Sequence, residues 1–326
     1  MRPSGIGGQA VIEGVMMKNK DQYAVAVRKP NNEIEVVNHD CESLIQKNKF
    51  FGLPIIRGVV AFIESLVIGT KTITYSASFY DDEELMSEKE KLKAKQKEEK
   101  KALKAEKRAA KGKPPKEDKG DSLFMALTIT LSIVMAVAIF ILLPMGLSVL
   151  LNKVIHSNFV LGIVEGLLRL VIFMVYIVLI SQMEDIQRVF MYHGAEHKTI
   201  NCIENGYDLT VENVRVQSRE HKRCGTSFLL FVIIISSIFF IFIRVDNILT
   251  KTVVRVLLVP VIAGVSYEVI RLAGRSESKI VAAISRPGLW LQGLTTREPD
   301  DSMIEVAIAS VEAVFDWREF LGKDKE

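Results

Sequence analysis

The sequence predicts an α-helical polytopic membrane protein, with four transmembrane helices and a small N-terminal β-rich cytoplasmic module, on three observations. Apolar residues make up 49% of the 326 positions and are gathered into a few long runs that an ordinary soluble core does not need. Lysine and arginine crowd the flanks of those runs on one side only. Short β-forming runs separated by turn residues are confined to the N-terminal end.

In chain order, residues 9–17, 23–28 and 33–37 read as three short strands, with Asn19-Lys20-Asp21 and Pro30-Asn31-Asn32 at the turns. Three such strands bury little by themselves. The module, residues 1–52, is therefore expected to pack on the C-terminal segment or on the loop nearest the membrane. Gly5, Gly7 and Gly8 precede a strand and not a helix, which makes them a flexible lead-in to the sheet rather than a phosphate cradle. Pro54 opens an apolar helix that carries Arg57 and Glu64 and runs on to Tyr80. Counted as a crossing it would put the N-terminus outside, against the charge pattern, so residues 53–80 are expected to form an amphipathic interfacial or re-entrant helix. Residues 81–120 turn to Lys, Glu and Ala with Pro114-Pro115 near the end, a charged, solvated tether without chemistry.

Residues 121–274 hold the four spans, at 123–151 (interrupted by Pro144), 159–180, 226–243 and 253–272. Each is at or near the length that crosses a hydrocarbon core of about 30 Å. Glu165 and Arg169 stand four apart in the favourable order and are expected to pair, as are Glu268 and Arg271. Residues 275–326 form a cytoplasmic C-terminal segment. Within it, 284–294 carries Pro287, Gly288 and Trp290 and reads as a membrane-surface stretch with an aromatic anchor. Asp300 and Asp301 then start a helix over 302–315, whose Ile304, Ile308, Val311 and Phe315 fall on one docking face.

Short basic loops stay on the cytoplasmic side. Lysine is dense over 89–119, the loop between the second and third spans carries Arg188, Lys198, Arg215, Arg219, Lys222 and Arg223, and Arg275, Lys279 and Arg286 follow the fourth. The opposite side has only Lys153 and, at the outer end of the second pair of spans, Arg244, Lys251 and Arg255. The expected placement is multi-pass in the cell membrane with N- and C-termini cytoplasmic, the first span acting as the insertion signal because no cleavable leader is visible. Cys41, Cys202 and Cys224 fall on the reducing side and are expected to be free thiols or ligands. A net charge of +3 excludes nucleic acid as the expected partner, and the basic flanks are accounted for by the lipid bilayer.

Chemistry concentrates in the cytoplasmic loop 184–225, which contains Tyr192-His193-Gly194-Ala195-Glu196-His197-Lys198. On a helix over 184–204, His193 and His197 lie about 40° apart and Glu196 about 60° round from His193, so all three can face one ion. The order His-x-x-Glu-His matches the inverted zinc-protease pattern, in which two imidazoles bind the metal and the carboxylate accepts a proton from the attacking water. His221 and Cys224 follow as His-x-x-Cys before the third span and are the natural remaining ligands. With all four bound the site is closed and structural, whereas an open catalytic site leaves one position for water. Cys202 lies about 180° away and Glu204 about 10 Å further along the axis, which removes both from the first set of ligands. A straight helix would carry His193 about 18 Å beyond Ser181, so a bend near residues 189–192 is expected to lay it along the membrane surface. The alternative is that the histidines are interfacial polar groups hydrogen-bonded to carboxylates and lipid phosphate.

The opening Gly7-Gly-Gln-Ala-Val-Ile-Glu-Gly-Val-Met-Met17, with Gly194-Ala-Glu-His-Lys198, His221-Lys-Arg-Cys-Gly-Thr-Ser227 and Leu291-Gln-Gly-Leu-Thr-Thr-Arg297, resembles the YqhQ-like family of bacterial membrane proteins over nearly the whole chain apart from the lysine-rich tether. The resemblance implies a domain of unknown function whose members are labelled predicted metal-dependent enzymes. Two classes of function are then expected. One is a cytoplasm-facing hydrolase, in which His193, His197 and His221 or Cys224 hold a divalent metal, zinc by the motif, and Glu196 is the catalytic general base. The other is a non-enzymatic assembly or scaffold factor with a structural metal or a hydrogen-bonded histidine cluster, and a membrane or cytoplasmic protein as partner. A transporter ranks third, because few charges mark the spans and no internal repeat is visible.

Overall fold

The computed structural model describes residues 3–80, 119–243, 245, 247–273 and 278–322, and the expected tether falls outside the described residues up to 118. Four strands, β1 (Gly7–Val11), β2 (Gly14–Asn19), β3 (Gln22–Arg28) and β4 (Ile34–Asp40), open the chain. The helices are α1 (Leu44–Lys47), α2 (Ile56–Ala77), α3 (Lys119–Val137), α4 (Leu143–Leu151) and α5 (Asn158–Ile180). They continue as α6 (Glu184–Glu204), α7 (Val211–Arg215), α8 (Gly225–Ile241), α9 (Ile248–Ala273), α10 (Lys279–Thr295), α11 (Asp301–Glu312) and α12 (Trp317–Leu321). Two units divide the chain, one of residues 1–79 and 140–326, the other of residues 80–139. The second contains α3, and the architecture below is that of the first.

The module is an antiparallel meander in the order β1-β2-β3-β4. It has four strands where three were expected, because the run 9–17 is folded back at Ile12-Glu13, with Val11 opposite Gly14. No Gly, Asn or Pro announces that turn. Glu13 takes a φ of 49° and is held there by the Arg28 N–H on its carbonyl and by an Arg188 guanidinium pair on its carboxylate. Gly14 follows because a Cβ there would sit 2.3 Å from the Ala26 carbonyl oxygen.

The sheet does pack on the C-terminal segment. Val15, Met17 and Ala26 share one core with Tyr192, Ala195, Ile200 and Ile203 of α6 and with Met303, Ile304, Ala307 and Val311 of α11. Each fully buried aliphatic side chain of this kind contributes about 1.5–3 kcal/mol. Asp300 caps α11 by accepting from the Met303 N–H, and Ser310 Oγ donates to the Ala24 carbonyl, so the helix is fixed on the sheet by polar as well as apolar contacts.

Helix α2 covers nearly all of the expected segment and docks on α9 through glycine. A Cβ on Gly58 would lie 2.7 Å from the Gly264 oxygen, and one on Gly264 2.6 Å from the Ile55 oxygen, so the two backbones touch. Arg57 clasps Glu268 with two hydrogen bonds. Glu268 thus pairs both with Arg57 and, at 3.8 Å, with the expected partner Arg271.

Among the described residues three helices are long and apolar enough to cross a membrane, Leu127–Leu151, Asn158–Ile180 and Ile248–Ala273, and Gly225–Ile241 is a shorter apolar helix of 17 residues. Pro144 explains a π-helical stretch at Ala138–Leu142: it cannot donate to the Phe140 carbonyl one turn back and its ring crowds that oxygen. The released carbonyl accepts from Arg169 Nε at 2.9 Å. Glu165 and Arg169 pair at 2.9 Å as expected, and Arg255 joins them with Nη2 at 3.1 Å from the same carboxylate. Arg255, read as lying at or near the outer end of the second pair of spans, is one of the most deeply buried side chains. Both guanidinium groups lie 4.7 Å over the Phe240 ring.

The apolar helix α5 and the histidine helix α6 are separated at Ser181–Met183, and α6 then runs unbroken to Glu204. The bend expected at 189–192 is therefore about two turns earlier, where the apolar run stops and Glu184 and Asp185 suit a new N-terminus.

Candidate metal centre

Helix α6 presents His193, Glu196 and His197 on one stripe, and its neighbours fix their orientation. Gly194 permits a backbone crossing, since a Cβ there would lie 2.1 Å from the Arg297 carbonyl oxygen. The crossing strand donates Arg297 N–H to the Phe190 carbonyl at 2.8 Å, and its Thr295 carbonyl accepts from His193 Nδ1, also at 2.8 Å. His197 Nδ1 donates to the Arg219 carbonyl. The loop bearing that carbonyl is pinned to α6 by Lys198 Nζ on the Arg215 carbonyl at 2.7 Å and by Asn201 Nδ2 on those of Ser218 and Glu220 at 2.8 and 2.9 Å. With both Nδ1 atoms committed, both Nε2 atoms are turned toward a common point.

Cys224 completes that point from the N-cap of α8. The buried Gln292 side chain exchanges hydrogen bonds with the His221 backbone at 2.8 Å each way and donates to Ser227 Oγ at 2.9 Å, which sets the turn entering α8. Cys224 Sγ accepts from the Thr226 N–H and lies 3.2 Å from His193 Nε2. One ligand atom from each of His193, His197 and Cys224 lies within 4.8 Å of the others. A carboxylate oxygen of Glu196 is 3.9 Å from both Nε2 atoms. Gly8 of β1 makes room for it: a Cβ there would fall 2.7 Å from Glu196 Cγ.

Burial alone would raise the Cys224 thiol, but His193 and His197 beside it outweigh that and hold it well below its ordinary value. Burial likewise opposes charge on His193, and the Cys224 sulfur outweighs it, pushing the imidazole up to about 9. The two shifts run in the directions of a thiolate facing an imidazolium, and the thiolate is the form a metal ligand requires. A tetrahedral ion at ordinary Zn–N and Zn–S lengths needs ligand atoms about 3.3–3.6 Å apart, so each separation in the trio lies within about 1.5 Å of that geometry. Among the described residues the group is two imidazoles and a thiolate, a donor set that fits a divalent ion, with the Glu196 carboxylate beside it.

His221 stands outside this trio. Its ring is 5.7 Å from that of His197, and its Nε2 is 3.6 Å from Glu204. Glu204 also accepts from the Ser4 N–H and Oγ, each at 2.7 Å, and from Arg223. Burial would raise this carboxyl, but the hydrogen bonds from His221 and Ser4 and the Arg223 charge hold it down at about 2. A second polar knot therefore ties the N-terminal arm to the loop before α8. Cys202 points away from the site, with Sγ 3.3 Å from the Asp208 carbonyl, and burial pushes its thiol up to about 12.

The site opens into a cavity of about 820 Å³ whose walls include β1, the polar groups His193, Glu196, His221, Cys224, Arg223 and Arg271, and the apolar side chains Val189, Phe190, Leu229 and Ile270. Residue-type reasoning missed Ser4, Gly8, Gly194, Gln292 and Arg223. All five fall within or beside the four motifs quoted above, so the signal was in the motifs and not in any titratable spacing.

Comparison with known proteins places the chain. The family described as "Protein of unknown function (DUF1385)" matches residues 53–317. The chain is also 36% identical over 311 residues to the uncharacterized protein YqhQ of Bacillus subtilis (strain 168), covering 94% of this chain and 91% of that protein. No solved structure matches. The chain belongs to the YqhQ-like, DUF1385 family, and neither matched name carries an activity or a metal.

Proposed function

We propose that this YqhQ-like protein is a membrane-embedded, metal-dependent hydrolase whose site faces the cytoplasm, with His193, His197 and Cys224 holding a divalent ion and Glu196 acting as general base. The observation that carries this reading is the convergence of three ligand atoms within 4.8 Å, with the Glu196 carboxylate 3.9 Å from both imidazole Nε2 atoms. The mixed nitrogen and thiolate set favours zinc over harder cations. An ion bound there would polarise a carbonyl or phosphoryl oxygen. Glu196 takes a proton from water as the water oxygen bonds to that carbon or phosphorus, and returns it to the leaving group as the old bond breaks. Thr295 and Arg219, through their carbonyls, keep the two imidazoles in the tautomer that donates a lone pair from Nε2.

The same proposal takes α8 as a fourth crossing. Its 17 residues rise about 26 Å and Phe242 and Ile243 extend the apolar run. With four crossings and the basic bias, both termini and the site lie in the cytoplasm of the cell membrane.

Metal analysis of gently purified protein tests the centre. About one equivalent of zinc is expected, lost in His193→Ala, His197→Ala and Cys224→Ser and kept in Glu196→Gln, which loses hydrolysis alone. No metal bound and none taken up on addition would sink the reading. One observation favours an assembly factor with a hydrogen-bonded cluster: His193 already has both ring nitrogens partnered, by Thr295 and Cys224, so the cluster is satisfied without an ion. Full cellular function in Glu196→Gln, with loss in His197→Ala, would decide for that second class.

A further inference from the structure

Residues Gly7 to Ala10 all line the cavity, although alternate side chains of a strand point to opposite faces. Both faces are covered. On one, Gly8 abuts Glu196 of α6; on the other, Gln9 abuts Gly69 of α2. What β1 turns to the cavity is its edge, for it is the first strand of the sheet and, among the described residues, has a neighbouring strand on one side only.

The hydrogen-bond register identifies the groups on that edge. Val11 and Gly14 close a two-residue turn, so the odd residues of β1 exchange hydrogen bonds with β2 and the even ones aim N–H and C=O outward. At one end the outward Ile6 N–H is taken by Ser4 Oγ at 3.3 Å, and at the other the Ile12 N–H is taken by Ser76 Oγ at 3.1 Å. Between these stops lie the outward groups of Gly8 and Ala10, about 6.8 Å apart, the repeat with which a second strand pairs. Gly8 is also the residue that touches the proposed general base. A bare strand edge is a liability that folds ordinarily cover; here it borders the candidate metal centre.

We propose that this edge binds an extended polypeptide segment as a fifth strand, by backbone pairing with Gly8 and Ala10, and that the bond presented to the centre is a peptide bond. Two N–H and two C=O groups alternating at strand spacing complement an amide backbone and not a phosphate headgroup. Side chains on one face of the segment would meet Phe190 and Leu229, which favours apolar residues at alternate positions. Cleavage of the segment rests on the hydrolase reading; its binding does not.

The test uses the full chain in detergent with chelator present, and a fluorescein-labelled peptide of alternating Val and Thr with lysines at both ends. Anisotropy should show binding. N-methylation of alternate peptide nitrogens should weaken it by about ten- to hundredfold, the worth of two hydrogen bonds. Ala10→Pro, which removes one outward N–H at an edge position where proline is tolerated, should weaken it by about tenfold, while Ala10→Ser should not. No binding by the wild type, equal binding of the N-methylated peptide, or competition by phospholipid alone would overturn the proposal, and the N-methyl comparison does not depend on any variant folding. Metal content of the same protein purified without chelator separates the two readings. Metal without peptide binding would sink the strand and spare the hydrolase; peptide binding without metal would do the reverse.

Discussion

Substituting Gly194 tests whether the close backbone crossing at the centre is real and whether it sets His193. An added Cβ would lie 2.1 Å from the Arg297 oxygen, whereas ordinary contact begins at 3.4 Å, so helix and crossing strand must part by more than an ångström. Parting them strains the Arg297 N–H to Phe190 hydrogen bond, worth about 1 kcal/mol. Overpacking costs about 1–3 kcal/mol more, against a helix-propensity gain of about 1 kcal/mol for Gly→Ala. Gly194→Ala should therefore lose about 1–3 kcal/mol and melt several degrees lower, at about 2–4 °C per kcal/mol for a domain of this size class. Gly293→Ala is the control, since it lies inside α10 with nothing within 4 Å of the new Cβ, and it should gain up to about 1 kcal/mol. Thermal unfolding in detergent, followed by tryptophan fluorescence, gives both values. Because the crossing carries the Thr295 carbonyl that orients His193, Gly194→Ala should also bind zinc about ten- to hundredfold more weakly. A Gly194→Ala protein as stable as the wild type, with undiminished zinc affinity, would refute the crossing as the device that positions the ligand.

The remaining expectations concern the two polar knots and the excluded residues. Glu204, held down at about 2, stabilises the fold fully above the ordinary glutamate value near 4.5, and that contribution is lost as pH falls from there toward 2. Acid unfolding curves should accordingly be shallower over that window in Glu204→Gln, and equal slopes would contradict it. His221→Ala should keep its metal, because the ring pairs with Glu204 and stands outside the trio; loss of one equivalent would return His221 to the ligand set. Glu165→Leu leaves Arg169 and Arg255 buried without their carboxylate and should cost about 3–5 kcal/mol, while replacing all three with leucine should recover most of it. Both are read from detergent unfolding midpoints, and a neutral Glu165→Leu would show that the cluster is solvated. Cys202→Ala should leave metal content unchanged, its thiol being directed at the Asp208 carbonyl; metal loss there would redraw the centre.

What could be read from the chain divides by the range of the interaction that decides it. Helix periodicity is local, and it placed His193, Glu196 and His197 on one stripe and Cys202 off it. The stop at Asn205-Gly206 followed as well, where Gly206 takes the left-handed φ of 85°, whereas the break before Glu184 did not, since the bend was expected about two turns later. The docking face of α11 was equally local, since Ile304 and Val311 are buried at helical spacing. The turn at Ile12-Glu13 was not legible, because its geometry is imposed by Arg28 and Arg188, one of them far along the chain, and not by a turn-forming residue. Arg255 was counted at or near the outer end of the second pair of spans on charge alone, and its pairing with Glu165, 90 positions away, was not legible. The same limit separated His221 from Cys224. Spacing made them equivalent candidates, and what separates them is that the His221 imidazole stands beside Glu204, itself held by Ser4 and Arg223, while Cys224 groups with His193 and His197. A residue type tells what a side chain can hold; which of two eligible side chains holds it is decided by the partners that have already claimed the other.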